Sequence, residues 1–502
     1  MVVLLVGVFA GFKLVSKEET NPPTVENVPL GQQLLYLESE TAAQAASWLK
    51  ELKLSPSDNG VVGTMLPYHL LSYLKMEQKT AIHQSGMDNF YDNQSLENAA
   101  IANLENGYAL TTEILENSGL YFSRDHTDIG FWEIVEPTPG EYHYDIPDLI
   151  ISSAQTDNIR NLITLLPFAL WDQENAGYPP NSQNNQLYLG DYFPLSKNTG
   201  PGPAYNLTAY ENFLSRLKDR YDGNGANDLA GLKFGLNYFE INNEPEGSGG
   251  GYKNKANDYI TLLQKSREAL GSNAIIMNGG ALEWITQPEI STFWNTFFEN
   301  GGNNYIDIFN MHYNDERNYP TTTFDNFETV LDYWDNLMTA HGGRKPIWIT
   351  EFGTFAGTQG GRTQSEDDQA EWYLEHFCFG AARGVKKIFI DFSGDNVSGI
   401  GQSAMTYTAI GNPTPTARLI FYTQKLMNYK LAAFTDCEEI VKSEQYRFTV
   451  GGKSVCVLWG THPLPMGLSG RTLKVTDVYG NETTTSSLTL TSHPVFVEVI
   501  GI

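Results

Sequence analysis

Two apolar runs in this chain each end on a glutamate. Tyr238-Phe239-Glu240-Ile241-Asn242-Asn243-Glu244-Pro245 opens with bulky residues and breaks at a proline. Pro346-Ile347-Trp348-Ile349-Thr350-Glu351-Phe352-Gly353 is equally apolar and closes on one glutamate and a glycine. Both read as buried strands. Proline has no N–H to give a sheet ladder, so Pro245 marks a strand end. The residue before a proline is pushed towards extended backbone, which predicts an extended Glu244 at the carboxyl end of its strand. In an α/β barrel that end carries the catalytic groups. Two carboxylates on two strand ends suit glycoside hydrolysis, where one protonates the leaving oxygen and the other serves the anomeric carbon. The plain alternative for either residue alone is a carboxylate near a loop or helix start.

The surrounding chain alternates strands with helices, the pattern of a parallel α/β fold. Gly60–Leu66, Leu120–Arg124 and Asn161–Pro167 read as the first three strands, and the run ending at Glu244 as the fourth. Ala274–Gly280, Tyr305–His312, the run ending at Glu351 and Lys387–Phe392 follow as the fifth to eighth. Helical spacing of apolar residues predicts helices over Leu96–Leu115, Asn206–Tyr221, Ala256–Leu270, Phe327–Ala340 and Gln369–Ala382. Helix is also expected over Gln32–Leu54 and around Pro413–Gln424. The long loop after the third strand, from Trp171 and Asp172 to about Tyr205, lies on the catalytic side and reads as part of a substrate cleft. Asp222–Asp228 lacks the spaced carboxylates of a calcium loop and reads as a Gly/Asn turn.

Asn243-Glu244-Pro245, followed downstream by Trp-Ile-Thr-Glu-Phe-Gly, resembles the retaining glycoside hydrolases of clan A, families 5 and 39 being the nearest patterns. These barrels carry Asn-Glu on strand four and Glu on strand seven. The resemblance spans most of residues 110–400 and implies a (β/α)8 barrel with a small C-terminal antiparallel β-sandwich domain. It implies Glu244 as acid/base, Glu351 as nucleophile, and Asn243 as a partner of the sugar 2-hydroxyl. It also implies Arg124 as the cation that keeps the nucleophile ionised, and His312 as an active-site histidine. Trp132 is expected to line the mouth of the site or pack beneath its loop. Trp171 is expected as a sugar platform, with core packing as the alternative. Two departures stand out. The tyrosine after the histidine comes one place early, in His312-Tyr313-Asn314, and so points the other way along a strand. No tryptophan occupies the eighth strand, where Phe392 is the candidate substitute.

Composition narrows the partners. The net charge is −27 over 502 residues, with only 32 Lys and Arg. Binding phosphate polymers needs clustered cations, so nucleic acid and anionic membrane surfaces are excluded as main partners. A neutral carbohydrate fits, with no cofactor and no metal implied. Three cysteines, Cys378, Cys437 and Cys456, do not form a disulfide scaffold, and whether Cys437 and Cys456 pair stays open. Residues 1–16 open with the apolar MVVLLVGVFAGF, shorter than a bilayer span, and read as a signal peptide or membrane-anchor remnant. A buried element is the alternative. The reading favours a secreted or cell-surface protein with a possible N-terminal tether. Residues 17–60 then form a linker and N-terminal helix, 61–428 the barrel and 429–502 a β domain. Its strands are expected at Tyr446–Val450, Ser454–Trp459, Thr472–Asp477, Ser487–Thr491 and Val495–Ile500, with a hairpin turn at Asp477–Asn481. The expected activity is hydrolysis of β-glycosidic bonds with retention. A transglycosylase, or a non-catalytic carbohydrate-binding protein on the same fold, is the alternative.

Overall fold

The computed structural model describes residues 36–54, 58–66, 91–125, 128–177, 202–247, 249–314, 324–359, 362–391, 395–396, 405–408 and 414–501. The apolar N-terminus, the linker after it, most of the loop before Tyr205, and Phe392 lie outside these residues.

Eight parallel strands form the barrel: β1 (Val62–Leu66), β2 (Phe122–Asp125), β3 (Arg160–Leu165), β4 (Tyr238–Ile241), β5 (Ile275–Asn278), β6 (Phe309–Asn314), β7 (Ile347–Gly353) and β8 (Val385–Asp391). Their order is β5-β4-β3-β2-β1-β8-β7-β6. Parallel bridges Met277↔Ile308 and Ala281↔Met311 join the two ends of that order and close the ring. One long helix follows each strand: α1 (Gln94–Ser118), α2 (Asp145–Thr156), α3 (Leu207–Tyr221), α4 (Ala256–Leu270), α5 (Pro288–Glu299), α6 (Phe324–Ala340), α7 (Glu366–Ala381) and α8 (Leu419–Leu431). Local signals start several of them. Asn206 caps α3 by accepting from the Ala209 N–H, and Ser365 with Asp368 forms a capping box on α7.

The period of two along each strand sorts the barrel interior into layers. At the amino end the inward side chains are apolar: Phe122, Leu162, Met277, Ile308, Trp348 and Phe389, with Tyr238 and Ile275 packed against them. The Phe122 ring meets Tyr238, Trp348 and Phe389 edge-on, at centroid distances of 5.0, 5.5 and 5.9 Å. Each such burial contributes about 1.5–3 kcal/mol. Lys387 closes this floor, with its ammonium 4.9 Å from the Phe122 ring and donating to the carbonyls of Asp58 and Gly60. Two residues further along the strands the inward positions turn polar, as Arg124, Thr164, Glu240, Asn310 and Thr350. That polarity change along the barrel axis gives the carboxyl end its chemistry.

Beyond the barrel, six antiparallel strands form one sheet: β9 (Phe434–Val441), β10 (Gln445–Val450), β11 (Lys453–Leu458), β12 (Leu473–Thr476), β13 (Glu482–Thr485) and β14 (Val495–Val499). The order is β9-β10-β11-β14-β12-β13. One face packs on α7, where Phe377 stacks on Phe448 at 6.2 Å and meets Phe434 edge-on. Sandwiched between barrel and sheet, α7 is apolar on two sides. The expected strand at Ser487–Thr491 is not formed. Leu488 and Leu490 instead lie over the second face of the sheet, against Cys456, Leu458 and Leu473. Their alternation comes from covering that face; the hairpin partner of β12 is β13, through the Asp477–Asn481 turn, and its other neighbour is β14.

The long helix expected over Gln32–Leu54 is likewise absent from the described residues. Leu37–Glu38 pairs with Thr416–Ala417 as a short parallel strand, and helix is limited to a 3-10 turn at Ala42–Gln44 and a short α-helix at Ser47–Glu51. Tertiary partners override the helical periodicity here. Trp48 donates to the Gly480 carbonyl at 2.7 Å, Ala46 donates to Tyr479, and Leu49 is fully buried. The cysteines are free. Cys437 faces the barrel beside the Cys378 carbonyl, whereas Cys456 belongs to the cluster on the opposite sheet face, so the two cannot pair. The turn at 222–228 is closed by its own side chains, with the Asp228 carboxylate accepting from the N–H groups of Gly223 and Gly225.

Candidate active site

The site lies at the carboxyl ends of β4, β6 and β7. Strand β4 ends at Ile241, and the chain then turns sharply. Asn242 has φ 70° and Glu244 has φ 43°, so Glu244 is left-handed and not extended as its proline neighbour predicts. The surroundings impose this. The Asn242 amide donates to the Gly250 carbonyl at 2.6 Å, Tyr252 N–H donates to the Pro245 carbonyl, and Gly247 N–H donates to the Glu244 carbonyl. Gly250 is required for this fold-back, because a Cβ there would stand 2.1 Å from the Glu244 carbonyl oxygen. Backbone held in such a region costs on the order of 1–3 kcal/mol and is found where geometry matters for function.

Glu244 and Glu351 keep 14% and 12% of their side chains exposed, while His312 and Arg124 beneath them are fully buried. One oxygen of each glutamate and one nitrogen of His312 all lie within 4.8 Å of one another. His312 Nδ1 is 3.0 Å from Glu244 Oε1 and 3.7 Å from Glu351 Oε2. Its Nε2 is 3.2 Å from the Thr350 hydroxyl. Gly280 makes room for the ring, since a Cβ there would sit 1.9 Å from His312 Nε2. Arg124 Nη1 donates to Glu351 Oε1 at 3.0 Å, and Nη2 donates to Asn243 Oδ1 at 2.6 Å. Burial opposes the Arg124 charge, but the Glu240 and Glu351 carboxylates outweigh it and raise the guanidinium pKa. Three converging ligand atoms could hold a cation, but the arginine already supplies the positive charge at Glu351.

Five of the seven residues expected at the site therefore converge: Arg124, Asn243, Glu244, His312 and Glu351. Arg124 and His312 do so from below. Their full burial places them under the carboxylates, Arg124 against Glu351 and His312 against Glu244. Of the two places expected for Trp132, the structure gives the one beneath the loop. It is 0% exposed, packed between Phe213, Tyr210 and Trp171, with its N–H donating to Glu136. It belongs to the core under the loop. Trp171 is half-buried, edge-on to Trp132 at 5.1 Å, with its N–H donating to the Glu136 carbonyl. Tyr313 turns outward among Phe327, Phe352 and Trp372, as its one-residue offset predicts.

Sequence reasoning missed Glu240, Asn310, Thr164, Thr350 and Glu246. The first four are the polar inward positions of apolar strands, a signal present in the period of two. Glu246 is buried two residues after Glu244 and accepts from Leu282 N–H at 2.7 Å and Trp294 Nε1–H at 2.8 Å. Burial pushes its carboxyl up to about 7.

Residues 233–417 match the family model of the glycosyl hydrolase catalytic core. That span contains Glu240, Glu244, His312 and Glu351. The protein is thus a glycosidase by class, on an eight-stranded barrel with a C-terminal antiparallel β domain. Solved structures of glycoside hydrolases share the barrel fold that the resemblance implied. A family 39 glycoside hydrolase from the gut symbiont Bacteroides cellulosilyticus WH2 is similar with a TM-score of 0.55 at 16% identity, over 79% of this chain and 79% of its own. A family 39 β-xylosidase from Caulobacter crescentus is similar with a TM-score of 0.52 at 11% identity, over 89% and 98%. At these identities the likeness is one of fold. No curated protein matches the chain in sequence.

Proposed function

We propose that this protein hydrolyses β-glycosidic bonds of oligo- or polysaccharides with retention, through a covalent glycosyl-enzyme. The approach of Glu244 and Glu351 oxygens to within 4.8 Å carries the reading. Retaining carboxyl pairs stand about 5–5.5 Å apart, whereas inverting pairs open to about 6.5–9.5 Å to admit a water. Arg124 divides the roles. A fixed cation on Glu351 favours its ionised form, which suits a nucleophile. Glu244 is the acid/base. In the first step it protonates the glycosidic oxygen while Glu351 bonds to the anomeric carbon and the aglycone leaves as an alcohol. In the second, Glu244 takes a proton from water, the water oxygen bonds to the anomeric carbon, and Glu351 departs as carboxylate. Asn243, fixed through its Oδ1 by Arg124, is placed beside the acid to serve the sugar 2-hydroxyl. The exposed part of Trp171 is the platform for a sugar ring. A sugar acceptor in place of water would give transglycosylation from the same intermediate.

NMR of the first-formed anomer from a β-linked aryl glycoside tests this. Retained product is expected, and inverted product overturns the mechanism. Product sizing on a polysaccharide panel identifies the substrate and the acceptor. The apolar run at residues 1–12 supports export or surface attachment of the enzyme, which fractionation of the producing cells checks.

A further inference from the structure

Glu240 lies inside the barrel with no exposed side-chain surface, one inward position below the reacting carboxylates. Its Oε2 accepts from Arg124 Nε at 2.6 Å and the Thr164 hydroxyl at 3.2 Å. Its Oε1 accepts from Arg124 Nη2 at 3.0 Å, Gly280 N–H at 3.1 Å, Asn310 Nδ2 at 2.9 Å and the Thr350 hydroxyl at 3.3 Å. The donors come from β2, β3, β6 and β7 and from the loop after β5.

Fold stability alone is a poor reason for this arrangement. Taking two ions out of water costs several kcal/mol each, and apolar replacements of buried pairs are often neutral or better. Geometry gives a better one. A guanidinium is a rigid planar fork, so fixing one edge fixes where the other edge points. Glu240 grips the Nε and Nη2 edge, which aims Nη1 at Glu351 and holds Nη2 on Asn243. Charge gives a second. Arg124 stands between two carboxylates, and Glu240 offsets part of the positive field that Glu351 feels. Among the described side chains, the charged or titratable groups facing Glu351 are Arg124 from β2, His312 from β6 and Glu244 from the loop after β4. Glu240 stands behind the arginine and 3.9 Å from His312 Nε2.

We infer that Glu240 is a positioning residue for the glycosidase reaction: it aims Arg124 at the nucleophile and tempers the arginine's charge. The inference rests on the assignment of Glu351 as nucleophile. The test uses the full chain and an aryl glycoside with an activated leaving group, whose first step needs no proton from Glu244. The acid limb of kcat/KM then follows the ionisation of Glu351.

Glu240→Gln removes the charge at constant volume. It is expected to move that limb to lower pH by about one unit and to lower kcat more than about tenfold. Glu240→Asp keeps the charge but withdraws it, so kcat should fall while the limb stays in place. An unmoved limb in Glu240→Gln overturns the inference. If Glu240→Gln does not fold, Glu240→Asp decides alone: unchanged kcat overturns the inference, and lowered kcat with an unmoved limb upholds it. Inverted product from the unaltered enzyme would sink the nucleophile assignment instead, so the two failures are distinguishable.

Discussion

His312 reaches both glutamates with a single nitrogen: Nδ1 is 3.0 Å from Glu244 and 3.7 Å from Glu351. A proton on that nitrogen is hydrogen-bonded to the acid and lies close enough to the nucleophile to feel its charge. Burial works to lower the histidine pKa, but the Glu351 charge, the hydrogen bond to Glu244 and the Glu244 charge outweigh it, and the net shift is upward.

The sign of that shift sets a pH dependence of stability. A folded pKa above the unfolded value of about 6.5 means that protonated His312 stabilises the fold fully below that pH. The contribution is lost as pH rises through the folded value. Melting of the unaltered protein and of His312→Gln should differ more at about pH 5.5 than at about pH 9. A gap that widened towards alkaline pH would contradict the upward shift.

The two glutamates should separate by chemical rescue. Glu351→Ala is expected to lose at least about a thousandfold in turnover on every substrate. Azide should return part of it, as an inverted glycosyl azide. Glu244→Ala should keep the first step on activated aryl glycosides and accumulate the glycosyl-enzyme, which azide then releases with retained configuration. NMR of the azide products reads both outcomes, and exchanged behaviour would reverse the role assignment.

Gly280→Ala places a methyl where the His312 ring stands, at 1.9 Å from Nε2. The ring must move off one or both glutamates. Turnover is expected to fall by about a hundredfold, a loss of the size that small misplacements of catalytic groups produce. Full activity at an unchanged melting temperature would mean that the ring position is unimportant.

The two tryptophans should part in opposite directions. Trp132→Ala opens a cavity in a closed aromatic cluster and should cost about 3–5 kcal/mol of stability, with the KM of the folded fraction unchanged. Trp171→Ala leaves that cluster largely in place and should raise KM with little effect on unfolding. Denaturation midpoints and steady-state kinetics on both variants check the pair; a raised KM in folded Trp132→Ala would return that residue to the substrate surface.

The barrel was legible because its strands are short apolar runs with definite stops, and its helices carry long amphipathic periods. Glu244 and Glu351 stood out as carboxylates ending such runs. Glu240 did not, because a charge inside an apolar strand becomes meaningful only beside its partner, and Arg124 lies on another strand. Trp132 stayed between two places because its neighbours in sequence are those of a site loop, while its depth depends on Phe213 and Tyr210 from α3. The stretch before Leu54 misled because Trp48 and Leu49 answer to the distant Tyr479–Gly480 turn and not to each other. Contacts across hundreds of residues leave no local period to read.

The left-handed backbone at Glu244 has a consequence for selection. Glycine adopts φ 43° without the steric penalty that a glutamate meets there. Glu244→Gly would relieve that strain and also remove a half-buried acid. Screening random variants for heat resistance alone would thus be drawn towards an inert protein at this position. The glutamate survives only where growth depends on the sugar it releases, and a thermostabilisation campaign on this enzyme should couple every heating step to an assay of turnover.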